Sequence, residues 1–117
     1  LMRAAKLSKK AAKTGFDWPD VASIFDKLKE ETAELESAIA LSDREQTNQE
    51  IGDVLFTVVN IARRQNLDPE EALRDMLERF EFRFGHIEQH AQNSGRNMSD
   101  MTLAEMDAVW DEAKQTK

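Results

Sequence analysis

The chain has 117 residues, enough for one domain around one core, and its 40% hydrophobic and 33% charged content, with only 4 Gly and 2 Pro, favours helices over strands. The lack of Cys excludes disulfides and thiolate metal sites, and no apolar run approaches the roughly 18–20 residues of a membrane span, so no membrane partner is expected. A net charge of −7 argues against a nucleic acid polymer as partner, and a reducing cytoplasm is the expected compartment.

Residues 1–14 carry Arg3, Lys6, Lys9, Lys10 and Lys13 and no acid. This basic, Ala-rich start reads as a first helix over residues 2–13 that stops at Gly15, rather than as a targeting peptide. The opening on Leu1, with Met2 behind it, suggests a piece cut from something longer. Asp17, with Pro19 just inside, opens a second helix that runs to about Leu41. Its apolar positions Val21, Ile24, Leu28, Leu35 and Ala38 recur at helical spacing and predict a narrow buried stripe. Ser42 and Asp43 turn the chain into a third helix over roughly 44–65. Asp68 as N-cap, Pro69 at the first position and Glu71 as the capping-box acid then open a fourth helix, which runs to about Gln92. Residues 93–100 read as a polar loop, and Thr102 with Glu105 caps a short fifth helix ending near Lys114. The expectation is an all-α bundle of about five helices.

Two acidic motifs stand out, Glu30-Glu31-Thr32-Ala33-Glu34 on the second helix and Glu50-Ile51-Gly52-Asp53 on the third. Each sets acids three apart on one helical face. Such a cluster suits a hard divalent cation, because Mg²⁺ takes carboxylate oxygens and leaves the rest of its shell to water and phosphates. Glu31 also continues the apolar stripe from Leu28 to Leu35, and an acid on a packing face is costly unless paired or bound to metal. From Ile51 to Ala62 every residue is apolar except Gly52, Asp53, Thr57 and Asn60. That composition predicts a helix buried on most sides, and Glu50, Asp53, Thr57 and Asn60 form one polar stripe along it that needs partners. Glu31 and Glu34 are the expected partners. The bland alternative, a solvated face with weak ion pairs between turns, suits Glu30 and Glu36 best.

The fourth helix shows a core stripe of Leu73, Leu77, Phe80, Phe84, Ile87 and Ala91, flanked by Arg79, Arg83, His86 and His90. The cations suit phosphates, or form an ordinary basic face among Glu78, Glu81 and Glu88. His86 and His90 lack the third ligand zinc would want, and a di-iron bundle would need Glu-x-x-His pairs that neither acidic motif has. Trp18 and Trp110 lie near helix starts or ends, where Trp is more often a core or interface anchor than a stacking platform, and composition does not decide between those roles.

These residues resemble the MazG family of all-α nucleoside triphosphate pyrophosphohydrolases. The likeness rests on Glu30-Glu31-x-x-Glu34 with Glu50-x-x-Asp53, and extends through Gly15-Phe16-Asp17-Trp18-Pro19, Gly52-Asp53-Val54-Leu55-Phe56, Val59-Asn60-Ile61-Ala62-Arg63, Asp68-Pro69-Glu70-Glu71-Ala72-Leu73 and Glu105-Met106-Asp107-x-x-Trp110. It implies that residues 1–117 are one MazG-like catalytic domain, of the kind found C-terminal in longer two-domain members. It further implies Mg²⁺, with Mn²⁺ as substitute, on Glu31, Glu34, Glu50 and Asp53, and Glu34 or Glu50 as the carboxylate that orients or deprotonates the attacking water. Substrate contacts would fall on Lys27, Glu30, Asn60, Arg79, Arg83 and Trp110. The implied reaction turns a (deoxy)nucleoside triphosphate into monophosphate and pyrophosphate by water attack at the α-phosphorus. The implied assembly is a homodimer or a dimer of dimers. A helical module that binds a protein partner without catalysis is the competing reading.

Overall fold

The computed structural model describes residues 1–116. Its helices are α1 (Met2–Lys13), α2 (Val21–Ala40), α3 (Arg44–Arg64), α4 (Pro69–Asn93) and α5 (Leu103–Lys114), with a 3₁₀ turn at Met98–Asp100. No strand occurs among the described residues, so the all-α expectation holds. The chain divides into two compact units, Leu1–Ala72 and Leu73–Lys117, each with its own interior.

In the first unit α3 packs most extensively on α2 and less on α1. The ends of these helices follow local chemistry. Gly15 takes φ +93° and closes α1, with Phe16 N–H donating back to the Ala11 carbonyl at 3.1 Å. Asp20, not Asp17, caps α2: its carboxylate accepts from Ser23 N–H at 2.7 Å. The expected start at Asp17 fails because two guanidinium groups, Arg63 and Arg64, claim that carboxylate. Ser42 at φ +55° turns the chain, and Asp43 caps α3 by accepting from Gln46 N–H at 3.1 Å. Asn66 at φ +58° ends α3, and Asp68 accepts from Glu70 N–H at 2.9 Å as α4 begins.

Ile24, Ala38 and Val59 are the buried apolar residues of this unit, and Ser8, Glu31, Glu50, Thr57 and Asn60 are buried among them. This corrects one expectation. α3 is not buried on most sides: Ile51, Leu55, Phe56 and Val58 lie exposed, while its polar positions Glu50, Thr57 and Asn60 point inward. The helix turns its polar stripe to α1 and α2 because hydrogen-bond partners wait there, as the next section details.

The second unit is conventional. Ile87, Ala91, Met101 and Val109 form a buried apolar cluster, with Met98, Met106 and Trp110 packed against it. Only the C-terminal half of the expected α4 stripe is buried: Ile87 and Ala91 are enclosed, whereas Leu73, Leu77, Phe80 and Phe84 are exposed. The segment expected as loop contains the 3₁₀ turn, because Asn97 and Asp100 cap it reciprocally and Arg96 donates to the Asp100 carbonyl at 2.6 Å. The Thr102–Glu105 capping box forms as expected. Arg96 Nη1 donates to Glu105 Oε2 at 2.5 Å, and this bond holds Glu105 down to about 2.

Candidate active site

α2 supplies Glu31 and α3 supplies Glu50 and Asp53, and these three carboxylates offer oxygens that all lie within 4.8 Å of one another. It is the one group of three or more such ligands among the described residues. The first two are deeply buried, at 5% and 3% exposure, and Asp53 is exposed. Glu31 is inward because it occupies a stripe position of α2, as its spacing from Leu28 and Leu35 requires. Glu34, one turn on, is exposed and stands outside the close group.

Each buried carboxylate has one oxygen satisfied and one not. Lys27 Nζ lies 2.9 Å from Glu31 Oε1 and 3.3 Å from Glu30 Oε1, and Gln46 Nε2 donates to Glu50 Oε1 at 2.5 Å. Glu31 Oε2 and Glu50 Oε2 are fully buried with no hydrogen-bond donor. Buried anionic oxygens in that state call for a proton or a cation between them. The proton settles on Glu50. Its carboxyl is pushed up to about 7 by Glu31, then by burial and by the charge of Glu34. Glu31 is held low, first by the neighbouring Glu50 carboxyl and then by Lys27. A hard divalent cation would replace that proton and satisfy both orphaned oxygens, so the donor set fits Mg²⁺.

The acids stand between two hollows. Glu34 and Glu50 line a cavity of about 330 Å³ with Gln46. Glu31, Asp53 and Lys27 line the end of a larger one, about 570 Å³, whose walls continue over Thr57 and Asn60 to Phe56, Phe16 and Trp18. Asn60 does not meet Glu31 or Glu34, as the polar-stripe argument expected. Its Oδ1 accepts from Ser8 Oγ at 2.7 Å and from Arg63 Nη2 at 3.2 Å, and its Nδ2 donates to the Phe56 carbonyl at 3.0 Å. Thr57 Oγ1 donates to the Asp53 carbonyl at 2.8 Å.

Arg63 continues that network. Its Nε donates to Ser8 Oγ at 2.8 Å and its two Nη groups bind Asp17. Arg64 Nη1 donates to Asp17 Oδ2 at 3.2 Å and to the Trp18 carbonyl at 2.6 Å. The Arg63 hydrogen bonds keep Asp17 well below the usual carboxylate range. Ser8, Asp17, Arg63 and Gln46 went unread as site residues in the sequence. A faint signal existed: Ser8 is a lone small polar residue on the inner face of α1, and Arg63-Arg64 follow the polar stripe by one turn.

Arg79, Arg83 and Trp110 belong to the second unit. The Arg83 guanidinium lies 5.3 Å from the centroid of the Trp110 ring, and Trp110 packs 5.6 Å from Phe80. Arg83 is therefore buried rather than displayed on a basic face. Arg79 is half-buried, with Nη2 3.4 Å from Met76 Sδ.

Comparison with known proteins agrees with this picture. The MazG nucleotide pyrophosphohydrolase domain profile matches residues 20–87. The chain is 34% identical over 114 residues to "Nucleoside triphosphate pyrophosphohydrolase/pyrophosphatase MazG" of Thermotoga maritima, covering 97% of this chain and 44% of that protein. It is 38% identical over 117 residues to "Nucleoside triphosphate pyrophosphohydrolase" of Escherichia coli K12, covering 98% and 44%. A stretch of 68 residues is 46% identical to "Uncharacterized protein YabN" of Bacillus subtilis, 14% of that chain. The chain thus spans less than half the length of the curated relatives it matches. With the profile running from the start of α2 into α4, across all four acidic signature positions, the chain belongs to the MazG nucleotide pyrophosphohydrolase domain family.

Proposed function

We propose that this chain hydrolyses (deoxy)nucleoside triphosphates to the monophosphate and pyrophosphate. The observation that carries the reading is the pair of orphaned, buried carboxylate oxygens on Glu31 and Glu50, grouped with Asp53, of which Glu31 and Asp53 also line the larger cavity. Glu31, Glu50 and Asp53 would hold Mg²⁺, with Glu34 beside them, and Mn²⁺ would substitute. The ion supplies neutralisation of phosphate charge and lowers the pKa of water.

The chain's own groups do the rest. Lys27, already 2.9 Å from Glu31, offers its ammonium to the phosphates. Glu30 shares Lys27, 3.3 Å from its ammonium. Glu34, outside the close group, is the carboxylate left to orient a water and take its proton, whereas Glu50 is engaged within the cluster. The water oxygen attacks the α-phosphorus, the α–β bridging P–O bond breaks, and pyrophosphate leaves. The family resemblance assigns Arg79 and Arg83 to the phosphates and Trp110 to the substrate; within the second unit the Arg83 guanidinium lies over the Trp110 ring. Asn60 holds the cavity wall in shape rather than offering its oxygen.

The exposed apolar faces of α3 (Ile51, Leu55, Val58) and α4 (Leu73, Leu77, Phe80) are the surfaces on which a homodimer or dimer of dimers would form. Leu55→Glu is expected to shift the protein to monomer in sedimentation; an unchanged dimer would place the interface elsewhere. Among the described residues no helix is long and apolar enough to cross a membrane. We place the enzyme in the cytoplasm.

The test is incubation with a panel of ribo- and deoxynucleoside triphosphates and Mg²⁺ in H₂¹⁸O, followed by ³¹P NMR. Monophosphate carrying the label, with unlabelled pyrophosphate, is expected, and both should vanish with EDTA. Diphosphate and orthophosphate would mean that a different bond is cut. No turnover by a folded, Mg²⁺-binding protein would favour the non-catalytic module.

A further inference from the structure

The larger cavity has a chemical polarity. Lys27, Glu31 and Asp53 form the charged part of its lining, and Phe16, Trp18 and Phe56 form the aromatic part. Its volume of about 570 Å³ falls among small-ligand sites, which run roughly 300–1,000 Å³ with mostly apolar linings. A molecule with a polyanionic end and a planar ring suits that division.

The aromatic wall is held from behind. Residues 14–20 leave α1 through the left-handed Gly15, and the next anchor is the Asp17 carboxylate between Arg63 and Arg64. Arg64 also grips the Trp18 carbonyl at 2.6 Å. The backbone of the segment carrying Trp18 is thereby tied to the end of α3, which fixes where the Trp18 side chain starts. The polar groups near it are already spent: Ser8 Oγ is used twice, and Asn60 has its oxygen and one of its two N–H groups engaged. The aromatic part of the lining offers rings rather than an edge-reading set of donors and acceptors, which is the chemistry of stacking.

We propose that the nucleobase stacks on Trp18 in this cavity, and that Arg63 and Arg64 act as positioning residues for it. The assignment rests on the hydrolysis reading for the ligand's identity, but its test does not depend on turnover.

Two single-tryptophan proteins separate the possibilities in the full chain: Trp110→Phe, which reports on Trp18, and Trp18→Phe, which reports on Trp110. Each is titrated with the α,β-imido analogue of ATP and, as a base-free control, with inorganic triphosphate. The proposal expects the analogue, but not inorganic triphosphate, to quench the fluorescence of the Trp110→Phe protein. It also expects Trp18→Leu to raise KM about ten-fold through lost stacking, with kcat within about two-fold because the reacting atoms are untouched. Arg64→Gln should raise KM less and make Trp18 more accessible to acrylamide. Quenching confined to the Trp18→Phe protein, with KM unchanged in Trp18→Leu, would overturn the proposal and leave hydrolysis standing. Quenching of Trp18 in a protein that releases no pyrophosphate from any nucleotide would support the platform and sink the hydrolysis reading.

Discussion

The interiors of the two units are opposites. In the second, Ile87, Ala91, Met101 and Val109 meet as apolar surfaces, and the charged groups around them, such as Arg96 and Glu105, are paired at the surface. In the first, Glu31, Glu50, Thr57, Asn60 and Ser8 occupy the inside while Leu55 and Val58, at 52% and 46% exposure, occupy the outside. Burying apolar area stabilises a fold, whereas burying carboxylates costs free energy unless something neutralises them. An interior assembled against that cost exists for what it binds. One unit holds its shape by its core, and the other holds a charged site by a scaffold of helices.

The sharpest way to break that contrast is to change one residue on each side of it. Glu50→Ala should lower kcat/KM by roughly a thousand-fold, the equivalent of the several kcal/mol a catalytic metal contributes, while leaving metal-free stability the same or higher at pH above about 7, since a buried carboxylate is gone. Comparable turnover in that variant would remove Glu50 from the mechanism. Ile87→Ala should do the reverse, costing about 2–5 kcal/mol in urea unfolding through cavity formation. A loss under half a kcal/mol by that measure would mean that the apolar cluster does not sustain the second unit.

Proton linkage sharpens the comparison further. Glu50, pushed up to about 7 from 4.5, stabilises the metal-free fold fully below 4.5 and loses that contribution as pH rises through 7. Glu31, held low, behaves oppositely: its contribution is present above 4.5 and fades on acidification. On the proposed reading Mg²⁺ would displace the Glu50 proton, and its apparent affinity should then fall about ten-fold per pH unit below about 7. Calorimetric titration in two buffers of different ionisation enthalpy would detect the released proton; identical heats at pH 6 would refute the linkage.

The smallest effect belongs to the second unit. Glu105, held down to about 2 by Arg96, lends stability that is present above 4.5 and lost as pH falls toward 2. Arg96→Ala should therefore lower Tm slightly at neutral pH and leave it unchanged near pH 2, so that the acid limb becomes shallower. An acid limb as steep as before would assign the effect to other carboxylates.

Much of this arrangement is legible along the chain where the physics is local. Asp68-Pro69 and the Thr102–Glu105 box mark helix starts through hydrogen bonds reaching a few residues. Glu31 declares itself because an acid interrupts an apolar period. The failures share a different cause. Asp17 has good capping chemistry, yet Arg63 and Arg64, far along the chain, outbid the α2 N-terminus for its carboxylate. The α4 stripe from Leu73 to Phe84 is periodic, but periodicity states which residues share a face and not whether anything covers it.

Capping, turn geometry and helical spacing act over a few residues, so the helices, most of their ends and the pairing of two acidic motifs are legible along the chain. Which way α3 faces is a matter of tertiary packing. Its apolar and polar residues nearly encircle it, and the choice fell to groups distant in sequence: Ser8 and Arg63 for Asn60, and Glu31 for Glu50. The same long-range contacts left two buried carboxylate oxygens with no donor, and placed Trp18 on the wall of the cavity that opens beside them.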